Sequence, residues 1–112
     1  MQQTLLFDDE TRRKALVTVP TDSIQHSRFN TRKTRTAGQV QRLADRIARN
    51  GFELTRAPWA VQAGEGYEVF AGGTRVEAAR LGGLKQIPVF LHEGYSDEEI
   101  ARLADDDNAN DE

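Results

Sequence analysis

Apolar residues fall along this chain in two rhythms. Over residues 39–50, Val40, Leu43, Ala44, Ile47 and Ala48 recur at helical spacing, which lines them up as one stripe on a helix. Arg42, Asp45, Arg46 and Arg49 lie off the stripe, and Asn50-Gly51 supplies a helix stop. Elsewhere the apolar runs are short and rich in β-branched or aromatic residues. Residues 15–19, 59–62, 67–70 and 87–91 read as strands. Gly64-Glu65-Gly66 joins the middle two as a hairpin. Pro20 stops the first strand, Thr21-Asp22-Ser23 is a turn, and Ile24 returns to the core. Pro88 predicts a strand start or a sheet edge. Ser96 with Glu99 forms a capping box that opens a helix through Ile100, Leu103 and Ala104. Trp59 is expected in the core, with base stacking as the alternative.

Tyr67 to Arg80 organises the rest. A strand runs into Gly72-Gly73 and leaves as a helix, with Thr74 as its expected cap and Val76, Ala79 and Leu81 facing inward. Such a helix start aims backbone N–H groups and the positive dipole end at one spot. With glycines admitting a ligand and Arg75 alongside, that spot suits a phosphate. The same residues also fit a plain Gly-Gly turn with no ligand.

Length and composition set bounds. The 112 residues make one domain with a modest core. There is no cysteine, which removes disulfides, thiolate metal sites and a thiol nucleophile. Two histidines, His26 and His92, leave little for zinc. No apolar run has membrane-spanning length and no signal-peptide pattern opens the chain, so a cytoplasmic protein with no membrane partner is expected. Net charge is −3, but it is unevenly spread. From Thr11 to Arg35 there are seven Lys or Arg against one acid, and from Glu93 to Glu112 nine acids against one base. The basic loop 26–36, pinned by Phe29, carries Arg28, Arg32, Lys33 and Arg35 as candidate contacts to DNA or another anion. A solvated surface with a solubilising tail fits the same charges. The expected layout is a mobile arm at 1–14, a globular part at 15–104 and an acidic tail at 105–112. The fold class is α/β (α+β): a small mixed sheet with a β-hairpin and three helices.

The order of elements and several stretches resemble the N-terminal domain of the ParB family of partition proteins, in the fold shared with sulfiredoxin. Ile24 through Asn30-Thr31-Arg32-Lys33 looks like the family's first box, with Thr31 in place of its proline. Leu43 to Gly51, Pro58 and Val61 resemble the family's helix, glycine and strand. Ala71-Gly72-Gly73-Thr74-Arg75-Val76-Glu77-Ala78-Ala79, with Gly82 and Ile87-Pro88-Val89 after it, resembles the Gly-Glu-Arg-Arg box. Gly73 and Thr74 stand where that box has Glu and Arg. Asp107-Asn108 resembles the later Glu-Asn box, and Asn110 stands where the family has arginine. With Thr at position 74 and no cysteine, sulfiredoxin chemistry is out.

The resemblance implies a module of a DNA-partition or plasmid-maintenance protein that responds to CTP with Mg2+, with slow CTPase activity left open. It assigns Gly72, Gly73, Thr74 and Arg75 to the phosphates, Arg32 to closure over them, and the loop from Gly51 to Pro58 to the base. Asp107 then holds the metal and Asn108 the far side of the nucleotide. The implied partners are DNA, a ParA-type ATPase and a second copy in a homodimer, at the nucleoid or a plasmid. The alternatives are a ParB-like nuclease or nucleotidase using Asp107 and Glu77, and a DNA- or protein-binding module that ignores nucleotide. No helix-turn-helix pattern comes after the last helix in these residues, which leaves open a piece of a longer protein or a stand-alone relative.

Overall fold

The computed structural model describes residues 12–27 and 36–106 in full, and the backbone of 6–8 and 107–109. The elements are β1 (Leu6–Asp8), β2 (Arg13–Pro20), β3 (Ile24–His26), α1 (Ala37–Asn50), β4 (Trp59–Ala63), β5 (Gly66–Ala71), α2 (Gly73–Leu81), β6 (Gln86–Glu93) and α3 (Asp97–Ala109). Short 3-10 turns at Thr21–Ser23 and Leu54–Arg56 link them. The strands form one six-stranded mixed sheet in the order β1-β2-β6-β4-β5-β3. β1/β2, β2/β6 and β4/β5 are antiparallel, while β4/β6 and β3/β5 are parallel. The expected α/β class, hairpin and three helices are all present.

Alternation along the strands builds two cores on opposite sheet faces. Val19, Ile24, Ala60, Val69, Ile87 and Val89 pack with Val76 and Ala79 of α2. Behind α2 lies α1, whose Ala44 and Ile47 bury against Ala78. The other face carries Phe70 and Ala71, covered by Ile100 and Ala104 of α3, with Trp59, Val61, Tyr95 and Leu103 at the margin. Successive β5 residues Val69 and Phe70 thus serve different layers. Ala71 joins Phe70 because the β4/β5 register slips between Trp59 and Ala60, which pair with Ala71 and Val69. A bulge of this kind bends the strand and re-aims the residues beyond it; here those residues are the glycine turn.

Three expectations change. The stretch taken as an arm contributes β1, which pairs with β2 from Arg13 to Ala15. Apolar residues 5–7 lacked the length to declare a strand on their own; a neighbour's free edge completes it. α3 runs on to Ala109 rather than giving way at Asp105, since successive acids do not break a helix already seated by Ile100 and Ala104. Pro88 is not on an edge: β6 is internal. Its missing N–H is tolerated because β4 meets β6 only from Phe90 onward, leaving β2 as the sole neighbour at Pro88.

The helix starts obey capping rules. α1 begins earlier than its apolar stripe, at Ala37, because Thr36 and Gln39 make a reciprocal capping box. Gly51 closes it at φ 84°. In α3, Glu99 N–H donates to Ser96 Oγ (3.2 Å) and Ser96 N–H to Glu99 Oε1 (2.9 Å), the box read from the sequence.

Candidate functional site

The glycine turn is built by β5 and α2, and its geometry differs from the sequence expectation. Gly72, not Thr74, is the N-cap, in the left-handed conformation at φ 82°, ψ 24°. No side chain caps the helix, and Thr74 is its second residue. Arg75 N–H donates to Gly72 O at 3.0 Å, which closes the first turn. Gly73 and Thr74 N–H groups precede that bond and have no acceptor within the helix. A Cβ at Gly72 would lie 3.1 Å from Pro58 Cα, so the turn rests directly on the end of the 51–58 loop. Gly73 is buried, and Thr74 and Arg75 are half-buried. No acid occupies the first turn of α2. Leu81, expected inward, is exposed; Ala78 takes the inward position and meets α1.

Of the other site residues, Asp107 and Asn108 lie on the last turn of α3, one turn past Ala104. Ala104 shares a buried cluster with Ala71, the residue before Gly72, so α3 packs on the end of β5 that leads into the glycine turn. Arg28, Arg32, Lys33 and Arg35, with Phe29, lie outside the described residues. The chain leaves the described part at Ser27, whose N–H donates to Val69 O (2.9 Å), three residues before Gly72 along β5. Glu77 stands one helical turn into α2, its carboxylate 3.0 Å from His26 Nε2. No group of three His, Cys, Asp or Glu residues that could hold a metal occurs among the described residues. No helix of the described residues is long and apolar enough to cross a membrane.

Several residues near the site carry contacts that the sequence did not announce. Arg80, at the far end of α2, donates to Thr21 O (2.9 Å) and to Ile24 O. Thr21, 3% exposed, bonds back to the α2–β6 loop: N–H donates to Lys85 O (2.9 Å), and Oγ1 lies within hydrogen-bond distance of Leu84 O (3.0 Å) and Lys85 O (3.3 Å). Together they tie α2 to the start of β3. Arg12 reaches across to α3, 2.6 Å from Glu99 Oε2 and over the Tyr95 ring at 5.8 Å. The Ser96 N–H bond, helped by Arg12, holds the Glu99 carboxyl below its ordinary range. So the basic front and acidic end of the chain are joined at this pair. No periodicity or motif marks such partners, because they are 87 residues apart.

The comparisons agree with this architecture. The ParB N-terminal domain model matches residues 7–109. The chain belongs to the ParB N-terminal domain family. Among solved structures it is similar to the C-terminally truncated chromosome-partitioning protein ParB from Caulobacter crescentus complexed with CTP-gamma-S. That match has a TM-score of 0.74 and 19% identity, over 87% of this chain and 54% of that one. The same protein complexed to the centromeric parS site matches with a TM-score of 0.66 and 19% identity, over 82% of this chain and 46% of that one. A Pnob8-like ParB-N domain matches with a TM-score of 0.59 and 12% identity, over 93% of this chain and 36% of that one. The chain therefore spans about half the length of the two Caulobacter chains. No curated protein matches it in sequence.

Proposed function

We propose that this domain binds a nucleoside triphosphate, CTP first among them, at the Gly72–Arg75 turn and serves a DNA-partition or plasmid-maintenance protein. The observation that carries the reading is the left-handed Gly72 turn. It lies where the family's glycine box falls, and it opens a helix whose first turn offers amides and Arg75 but no carboxylate. A structural neighbour with CTP-gamma-S bound supports the choice of nucleotide. In this reading Gly72, Gly73 and Thr74 amides and Arg75 hold the phosphates and Arg32 closes over them. Asp107 carries Mg2+ and Asn108 contacts the far side. The packing of Ala104 with Ala71 in one cluster supports bringing the end of α3 to the turn. Hydrolysis, a homodimer and a ParA-type ATPase partner belong to the same reading, as does a place in the cytoplasm on nucleoid or plasmid DNA.

Calorimetry with each of the four ribonucleoside triphosphates and Mg2+ tests it. CTP is expected to bind, and Arg75→Ala to weaken binding about tenfold or more, since one charged contact contributes on the order of 1–3 kcal/mol. Absence of binding below millimolar, or an unchanged Arg75→Ala affinity, reduces the turn to a structural device.

DNA is the second ligand in this reading, supported by the basic segment around Arg28, Arg32, Lys33 and Arg35 and by the neighbour solved on the parS site. Affinity for random duplex is expected to fall steeply with salt, by about 0.9 log units per log unit of salt for each phosphate neutralised. A titration at two salt concentrations measures the slope. Failure to bind at low salt removes DNA contact from this domain.

A further inference from the structure

His92 lies on β6 at the seam between sheet and α3, and it is only 3% exposed. Three rings enclose it: Phe70 at 5.0 Å, Tyr95 at 5.2 Å and Trp59 at 5.7 Å between centroids. Nδ1 is 2.9 Å from Phe90 O. A carbonyl only accepts, so Nδ1 carries the proton and Nε2 holds a lone pair. That lone pair is buried and has no hydrogen-bond partner among the described residues. The imidazole is therefore seated as a neutral ring, filling space between Trp59 and the entry to α3.

The charges facing this ring make its protonation unwelcome. From β2, Lys14 is its register partner and leans over Trp59 at 5.8 Å, while Arg12 lies over Tyr95 at 5.8 Å. From the α3 side, Glu99 is engaged by Arg12 and by the Ser96 N–H. β4 and β5 present Trp59 and Phe70, which carry no charge. Nε2 has no hydrogen-bond partner among the described residues, burial disfavours the charged ring more than the Ala60 backbone favours it, and two cations stand on the neighbouring rings.

We propose that His92 is a proton-sensitive lock that seats α3 on the sheet while neutral and releases it when charged. The separation of the two cores gives the lock its local reach. His92 contacts the Phe70 cluster, whereas α1 and α2 pack through residues of the opposite face. Release therefore frees α3, and with it Asp107 and Asn108, while the α1–α2 layer stays folded. The lock rests on contacts within this chain and stands whether or not a nucleotide binds.

Linkage gives the sign of the effect. Desolvation outweighs the help of the Phe90 and Ala60 backbone and holds the seated ring at a pKa of about 4, against 6.5 for a free imidazole. The released state takes up the proton first, so the seam is at full strength above pH 6.5 and weakens as pH falls towards 4. Between those values the opening constant of α3 rises by up to about tenfold per pH unit, which makes roughly 80-fold from pH 6.5 to 4 and roughly 300-fold once both states are fully titrated.

Native-state hydrogen exchange on the whole chain without nucleotide, corrected for intrinsic rates, reads this out. Amides of residues 100–104 are expected to lose protection as pH falls from 6.5 to 4, with those of 44–47 in α1 unchanged. In parallel the single tryptophan, Trp59, reports the charge on the ring beside it, since an imidazolium in contact with an indole quenches its emission. His92→Phe keeps the ring and the surrounding carboxylates but removes the proton, and should abolish both the α3 response and the quenching. His92→Gln provides the same control should the phenylalanine variant not fold. Joint loss of protection in α1 and α3, or an acid response of α3 that persists in either variant, overturns the lock.

Discussion

Gly72→Val is expected to destabilise the domain by about 2–4 kcal/mol and to abolish nucleotide binding. Gly72 sits at φ 82°, ψ 24°, a conformation that costs an L-residue roughly 1–2 kcal/mol and a β-branched one more. The new Cβ would also meet Pro58 Cα at 3.1 Å. Pro58 cannot retreat cheaply: it is fully buried, and its carbonyl accepts from Phe90 N–H at 2.8 Å, where β6 joins β4. Strain at the turn is therefore passed into the middle of the sheet. Urea denaturation of the parent, Gly72→Ala and Gly72→Val should give midpoints falling in that order. Gly73 is not among the positive-φ glycines, so substitution there lacks the conformational part of the cost. Equal stability of Gly72→Val and parent would show that the turn relaxes freely, and the rigid phosphate seat proposed for it would fall with that result.

How much of the fold was legible in the sequence depends on the range of each signal. The stripe from Val40 to Ala48, the Gly64–Gly66 turn and the Ser96–Glu99 box are local: the residues that define each element are also the residues that contact one another. They folded as read, except that Ala48 at the end of the stripe is exposed. The strand-to-helix passage at Gly72 was legible as a turn, but not which glycine would take the left-handed conformation. That depends on Pro58, 14 positions away. The inward turn of Ala78 in place of Leu81 depends likewise on where α1 lies. β1 needed the free edge of β2 to exist, and Pro88 an internal strand whose second neighbour starts two residues later. His92 lay past the end of the strand read from the sequence, which stopped at Leu91, although it shares a sheet face with Phe90. Its enclosure by rings from β4, β5 and the start of α3 was not legible either. Of the candidate site, the glycine turn is on described structure, the end of α3 is placed by its backbone, and the basic segment from Arg28 to Arg35 is outside it.

Phe70→Ala is expected to carry the largest cost of any single truncation discussed, about 3–5 kcal/mol. Phe70 is 1% exposed and among the largest fully buried side chains. It makes edge contacts with His92 at 5.0 Å and with Trp59 at 6.2 Å, and it supports Ile100 and Ala104 of α3. Its position is fixed by the β-bulge, so neighbouring strands cannot simply slide to fill the space. Against a typical stability of about 5–15 kcal/mol for a whole domain, such a loss is a large fraction. Phe70→Leu, which retains much of the volume, should cost markedly less. The loss should also be uneven. Hydrogen exchange at neutral pH is expected to show residues 100–104 losing protection before 44–47 do, because α1 and α2 bury against the other face. Nucleotide affinity should weaken alongside, since Ala71 links this cluster to the turn at Gly72. Protection falling equally in α1 and α3 would mean that the two cores open as one cooperative unit, and that α3 has no independent equilibrium for a nucleotide or a proton to bias.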